Sequence, residues 1–195
     1  MSNIQIRRAH LSDAAGVAAV YADYMENTTA SLDMEPPSLT QMECRICDCG
    51  AYYPFLVCEL DGKIVGYAYA FRRFEEPSFD WSAFISVYAS VGGKGISRAL
   101  LDALEETLRA MGIVSIYAIV THNDKSRYFH QARDFTEAGR LQEAIYKEGK
   151  WRDIAYYQKT IALNEIPPAP VRSVRDLDKA ELDKILDRAG RSIRI

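Results

Sequence analysis

No stretch of this chain is apolar for long enough to cross a bilayer: the longest such runs, as at 113–120, fall far short of the roughly 20 residues a spanning helix needs. Residues 1–8 alternate charge with isoleucine and lack the apolar core of a secretory signal, so the cytoplasm is the expected compartment and no membrane partner is expected. Excess positive charge is missing as well. A formal net charge of -3 removes the basic field on which non-specific nucleic-acid binding relies, and no nucleic-acid partner is expected. Internal repeats and low-complexity segments are absent. Cysteines are few, and no histidine lies near them: Cys44-x-x-Cys47-x-Cys49 falls in a predicted helix and, with Cys58, reads as core or surface thiols, with no metal expected.

What is present suits one folded domain. The 195 residues are 48% apolar and 26% charged, enough to bury a single core. Ile4 and Ile6 alternate with polar residues as in a strand, and Ser12 or Asp13 caps a helix reaching about residue 26. A loop with Pro36-Pro37 follows. Ser38 caps a second helix that Gly50 is expected to end. Segments 55–60 and 63–71 flank Asp61-Gly62, a hairpin signal, because those residues accept the positive φ of a two-residue turn. A β-rich segment at 81–89 runs into Gly92-Gly93-Lys94-Gly95, and Leu100, Leu101, Leu104 and Leu108 then repeat at helical spacing until Gly112. The run 113–120 reads as a buried strand, 124–133 as a short helix, and 137–146 and 151–163 as two closing strands. After Asn164, a linker with Pro167, Pro168 and Pro170 leads to a charged helix striped by Val174, Leu177, Leu182, Ile185, Leu186 and Ala189. The expected division is a domain over 1–163 and a linker with an amphipathic helix over 164–195. Such a stripe should dock on the domain or on a second subunit, and a homodimer is the expected assembly. The element order indicates an α/β (α+β layered) architecture with a largely antiparallel sheet.

A glycine-rich turn between a buried strand and a helix can gather backbone N–H groups around a phosphate at the positive end of the helix dipole. At this junction the chain, reading Gly92-Gly93-Lys94-Gly95-Ile96-Ser97, resembles the GNAT superfamily, whose pyrophosphate loop follows Arg or Gln, x, x, Gly, x, Gly or Ala. Ser86-Val87-Tyr88, Arg98-Ala99-Leu100-Leu101, Glu35-Pro36-Pro37-Ser38, Val65-Gly66-Tyr67-Ala68, Asn123-x-x-Ser126-x-x-Phe129-His130, Gly139-Arg140 and Lys147-x-Gly149-x-Trp151-x-Asp153 are similar to its phosphinothricin N-acetyltransferase-like branch. That resemblance implies a seven-stranded mixed sheet flanked by helices, with acetyl-CoA as co-substrate and a small-molecule amine as acceptor. It also implies cofactor-binding roles: Val87 and Tyr88 along the pantetheine arm, Gly93, Lys94, Gly95, Ile96 and Ser97 at the pyrophosphate, and Asn123 and Ser126 nearby. Gly92 and Ser97 depart from the family pattern.

The chemistry departs further. Acetyl transfer to an amine needs a neutral nucleophile, an acceptor for its proton, and a donor for the departing thiolate. Relatives in this branch carry a glutamate, thought to be the base, two residues before the serine matching Ser86, where this chain has Phe84. Substrate-loop positions that hold arginine and tyrosine in the branch fall here on Phe74, Glu76, Phe79 and Asp80. The loop 74–81 is therefore expected to line the pocket with acidic and aromatic groups that suit a cationic or aromatic amine. Asp80 is a candidate replacement base, and His130, in the position of the superfamily's general-acid tyrosine, a candidate proton donor or relay. Two functions remain open: an active N-acetyltransferase, which is the favoured reading, and an acyl-CoA-binding module that has lost catalysis.

Overall fold

The computed structural model describes residues 3–27, 31–90, 94–121 and 124–194. Seven strands form one sheet in the order β1-β2-β3-β4-β5-β7-β6. They are β1 (Ile4–Arg8), β2 (Phe55–Leu60), β3 (Lys63–Phe71), β4 (Ser82–Ala89), β5 (Ser115–Thr121), β6 (Thr136–Lys147) and β7 (Lys150–Thr160). All neighbouring pairs are antiparallel except β4 with β5. The helices are α1 (Ala14–Asn27), α2 (Leu39–Tyr52), α3 (Ile96–Met111), α4 (Asp124–Gln131) and α5 (Lys179–Arg191).

Local chemistry accounts for most of these elements. Asp61 and Gly62 both adopt positive φ (49° and 80°), and Glu148 and Gly149 do the same at the second hairpin (54° and 74°), matching turns whose twist follows that of the strands. Ser38 caps α2, its hydroxyl accepting the Gln41 N–H while the Gln41 side chain accepts the Ser38 N–H. Gly50 does not end that helix, contrary to the sequence expectation: α2 continues to Tyr52, and the extended Tyr53 (φ -97°, ψ 160°) precedes Pro54, whose ring disfavours a helical predecessor.

Period-two alternation in β3 and β4 divides the core in two. Tyr67 and Tyr69 face α1 and α2, packing with Val17, Met42, Phe55 and Val57, whereas Ala68, Ala70, Ala83 and Ile85 face α3 and meet Leu100, Leu104 and Leu108. Small residues on the α3 side let the helix approach closely. A Cβ on Gly66 would lie 3.0 Å from both the Tyr88 carbonyl oxygen and Ile96 Cγ2, so no larger residue fits without displacement.

The parallel pair is short. Ser82, Ala83 and Phe84 match Ser115, Ile116 and Tyr117, and there the pairing stops, although β4 runs on to Ala89 and β5 to Thr121. Beyond Phe84 each strand keeps only its outer neighbour: β4 stays on β3 as far as Ala89 opposite Gly66, and β5 on β7 as far as Thr121 opposite Ile154. The sheet consequently opens between two adjacent strands at one end.

Residues beyond Asn164 wrap back over the domain. Trp81 Nε1–H donates to the Ala169 carbonyl at 2.7 Å, the Arg172 N–H to the Met111 carbonyl at 2.8 Å, and α5 lies against β1 and α3. Leu177, Leu182, Leu186, Ala189 and Ile193 join the same buried cluster as the α3 leucines, and Arg188 pairs with Glu106 of α3. Truncating a buried leucine in such a core costs about 2–5 kcal/mol, and about 1 kcal/mol shifts the midpoint by ~2–4 °C in a chain of this size. Leu186→Ala should therefore lower the melting temperature by roughly 5–15 °C, as read by circular dichroism or calorimetry.

Candidate active site

The opening between β4 and β5 leaves the β5-facing backbone groups of β4 beyond Phe84 without a ladder partner. At that point Val87 packs into the α3-side core, while the Tyr88 ring meets Tyr21 and Tyr24 edge-on and stacks on Tyr67. Side chains of these consecutive residues go to opposite faces, so the backbone itself borders the gap. The start of α3 lies on the α3 side of the sheet. Gly95 caps that helix with φ 76° and no side-chain hydrogen bond, and a Cβ there would meet nothing within 4 Å. The first intrahelical bond is Ala99 N–H to the Gly95 carbonyl, which leaves the N–H groups of Ile96, Ser97 and Arg98 in the unpaired first turn. Ile96 is buried beneath the sheet and fixes the turn, and Ser97 and Lys94 stand at its half-buried rim. An unpaired strand edge leading to an open helix N-terminus fits an extended ligand that ends in phosphates.

On the opposite, α1–α2 face, two chambers meet at Phe84. The larger, about 480 Å³, reaches from Tyr21, Asp33 and Arg45 past Tyr69 and Cys49 to Ser86 and Tyr88 of β4 and Ile119 of β5, and so touches both lips of the opening. The Tyr21 hydroxyl donates to Asp33 at 2.5 Å, with the Arg45 guanidinium 3.5 Å from the same carboxylate. Burial, reinforced by that carboxylate, pushes the Tyr21 phenol up to about 12. It therefore serves as a donor at neutral pH. Burial also raises the Cys49 thiol to about 11, so this cysteine is not a thiolate nucleophile although it lines the chamber. The loop carrying Asp33 is pinned by Lys147 at the end of β6, whose ammonium donates to the Ser31 and Asp33 carbonyls at 2.8 and 3.2 Å. The second chamber, about 280 Å³, has aromatic walls from Phe74, Phe79, Phe84, Tyr117 and Tyr156, and shares Arg72 and Arg73 with the first.

The structure brings together only part of what the sequence suggests. Gly93 and Asn123 lie outside the described residues. Val87, Tyr88, Lys94, Gly95, Ile96 and Ser97 converge on the opening and the helix start. The Ser126 carbonyl is taken up by His130. The acidic character of the 74–81 loop, in contrast, does not face either chamber at Phe84: Asp80 is ion-paired with Arg72, and Asp80 and Glu75 line a neighbouring groove with Asp48, Tyr52 and Tyr53. The reason is steric and electrostatic, because the short turn at Pro77–Phe79 folds Asp80 back on the guanidinium that follows β3. Chamber residues that sequence reasoning passed over are Tyr21, Arg45, Arg72, Arg73, Tyr117 and Tyr156. Arg72-Arg73 directly after a strand was a visible signal, whereas Tyr117 and Tyr156 reach the site only through strand pairing.

His130 sits on α4 with its ring against Phe129, Phe135 and Tyr157, and its Nδ1 lies 2.8 Å from the Ser126 carbonyl. A carbonyl accepts, so Nδ1 carries the proton and Nε2 is left as an acceptor. Burial lowers its pKa from the ordinary 6.5, against the smaller opposing effect of that hydrogen bond. A neutral imidazole in this tautomer accepts or relays a proton more readily than it donates one to a thiolate. The unfolded chain binds this proton at a higher pH than the native state does, so the stability involved is complete above about pH 6.5 and is lost as pH falls below it. Between pH 7.5 and 5, His130→Gln should therefore show a shallower decline in melting temperature than the wild type.

Known proteins agree with this geometry. A family model described as an acetyltransferase (GNAT) domain matches residues 6–155. A phosphinothricin N-acetyltransferase from Streptomyces viridochromogenes is 31% identical over 177 residues, 89% of this chain and 96% of that one. An L-methionine sulfoximine/L-methionine sulfone acetyltransferase from Pseudomonas paraeruginosa is 35% identical over 161 residues, 78% and 92% of the two chains. The crystal structure of a GNAT superfamily phosphinothricin acetyltransferase from Sinorhizobium meliloti in complex with acetyl-CoA superposes with a TM-score of 0.78 at 26% identity, covering 86% of this chain and 93% of that one. The split sheet, the glycine-capped helix at its mouth and these similarities together place this chain in the GNAT acetyltransferase family, with acetyl-CoA as its co-substrate.

Proposed function

We propose that this protein transfers the acetyl group of acetyl-CoA to the nitrogen of a small amine, with the acceptor entering from the α1–α2 face. The observation that carries the reading is the parting of β4 and β5 after Phe84, with a chamber from the opposite face ending on both strands. In this reading the backbone of Val87 and Tyr88 holds the pantetheine arm, and Gly93, Lys94, Gly95, Ile96 and Ser97 hold the pyrophosphate, with Asn123 and Ser126 beside it. When bound, acetyl-CoA supplies the activated acyl carbon and a thiolate leaving group. The chain's own residues position the amine and manage its proton.

Asp80 is assigned to anchoring Arg72, since it lines the neighbouring groove and neither chamber at Phe84. Asp33 is the carboxylate on the wall of the chamber that reaches the opening, and it takes the role of proton acceptor, through water, in place of the glutamate that Phe84 replaces. His130 relays a proton through Nε2. A cytoplasmic location fits four cysteines that form no disulfide. A homodimer fits the edge strand β6, which leaves Leu141 and Tyr146 exposed, as it does Trp151 on β7.

Gly95 tests the cofactor assignment. Asn and Asp both tolerate a left-handed backbone, so Gly95→Asn and Gly95→Asp bear similar strain and differ in charge. Calorimetry should find Gly95→Asp weakened toward acetyl-CoA by at least about tenfold relative to Gly95→Asn, ~1.4 kcal/mol, with circular dichroism unchanged. Equal binding by the two variants would remove the phosphate assignment. A protein that bound acetyl-CoA but released no thiol with any amine would be a cofactor-binding module instead.

A further inference from the structure

We propose that the second chamber is a subsite for the ring of an amino-substituted aromatic acid, and that Arg73 receives the acid group. The inference rests on the acetyltransferase reading and names its acceptor class. Five rings form its wall around Phe84: Tyr117 stacks on it at 5.4 Å, Phe74 and Tyr156 meet it edge-on at 6.0 and 6.2 Å, and Phe79 lies 4.6 Å from Phe74. Ser82, Ala138 and Gly139 contribute only small groups, which leaves the centre open. A dry cavity of ~150 Å³ is known to admit a benzene ring. At about 280 Å³, this one has room for a single ring with substituents.

Charge narrows the class. Among the described residues no carboxylate lines this chamber, while two guanidinium groups do. Arg72 is neutralised by Asp80, but Arg73 forms no ion pair with any described residue and lies 5.8 Å from the centre of the Phe84 ring. An alkylammonium entering beside Arg73 would be repelled and would still have to lose a proton. An arylamine is neutral near pH 7 and needs no prior deprotonation, so Phe84 can stand where relatives carry a base. A carboxylate or other acid on the ring pairs with Arg73, whose exposed guanidinium stands at the rim of the chamber and can hold both oxygens of the acid. The arylamine lone pair attacks the acetyl carbon, the C–N bond forms as the C–S bond breaks, and the nitrogen's proton ends on the departing sulfur, giving an anilide and free coenzyme A.

The test compares para-aminobenzoate, aniline, benzylamine and phosphinothricin as acceptors, read by thiol release, on protein first shown by calorimetry to bind acetyl-CoA. para-Aminobenzoate should be the best substrate. Arg73→Gln should reduce its advantage over aniline by about tenfold or more, with partial recovery in Arg73→Lys. Gly139→Leu adds a side chain to the chamber wall at a position where a Cβ meets nothing within 4 Å, and it should abolish the preference for rings while circular dichroism shows the fold retained. Efficient acetylation of phosphinothricin or benzylamine with neglect of both arylamines would overturn the inference and leave the acetyltransferase reading intact. If no amine is acetylated, direct titration of para-aminobenzoate decides the subsite separately. Failure of the wild type to bind it at millimolar concentration, or equal binding by Gly139→Leu, refutes the proposal.

Discussion

Everything functional in this fold depends on two parallel strands that stop pairing. Backbone N–H and C=O groups are obligatory hydrogen-bonding groups, and a sheet normally satisfies them on both sides of an inner strand. Here β4 is held by β3 from Phe84 to Ala89 and β5 by β7 along its full length, and the twist of each outer pair carries the two strands apart once Phe84 and Tyr117 have stacked. The inner edges therefore present main-chain groups that are open to a ligand. Because the backbone supplies these groups, the opening does not depend on which side chain stands at Phe84.

The charged groups sort by whether the fold has already used them. Arg7 is committed to Asp13 and Glu59, Lys159 to Glu105 and Arg72 to Asp80, so these pairs hold elements together and have no free charge to offer a ligand. Asp13 illustrates the consequence: its bonds from Arg7, opposed by burial, keep its carboxyl below the usual range, and that share of stability is lost only as pH falls toward strong acid. Arg73 is different, for it follows β3 beside an aromatic cluster and forms no ion pair with a described residue.

The C-terminal segment contributes rigidity on the side away from the chambers. Its linker ties to Trp81 just before β4 and to Met111 at the end of α3, the two elements that frame the α3 side of the opening. Gly190 of α5 lies directly against β1, where even an added Cβ would make ordinary contact at 3.5 Å from the Ile6 nitrogen. The β1 side of the sheet is thus covered, and the edge left bare is β6.

How much was legible from residues alone depends on the range of the interactions involved. Turn chemistry at Asp61-Gly62, the Ser38 cap, the left-handed Gly95 and Gly112, and the alternation of β3 and β4 are local, and sequence order alone determined them, with the family resemblance in the glycine loop adding the cofactor. Where α2 ends depended on a clash with Pro54 two residues past its last turn, which outweighed Gly50. The character of the acceptor site is not local. Read along the chain, residues 74–81 are acidic, yet Asp80 turns back to Arg72, and the chamber is made instead by Tyr117, Gly139 and Tyr156, which strand register delivers from more than thirty positions away. Sequence order by itself determined which elements form and where a glycine caps the start of α3. Tertiary structure alone decided which charges the fold neutralises and which rings surround Phe84, because both follow from strand pairings that close long loops and leave no periodic trace in the chain.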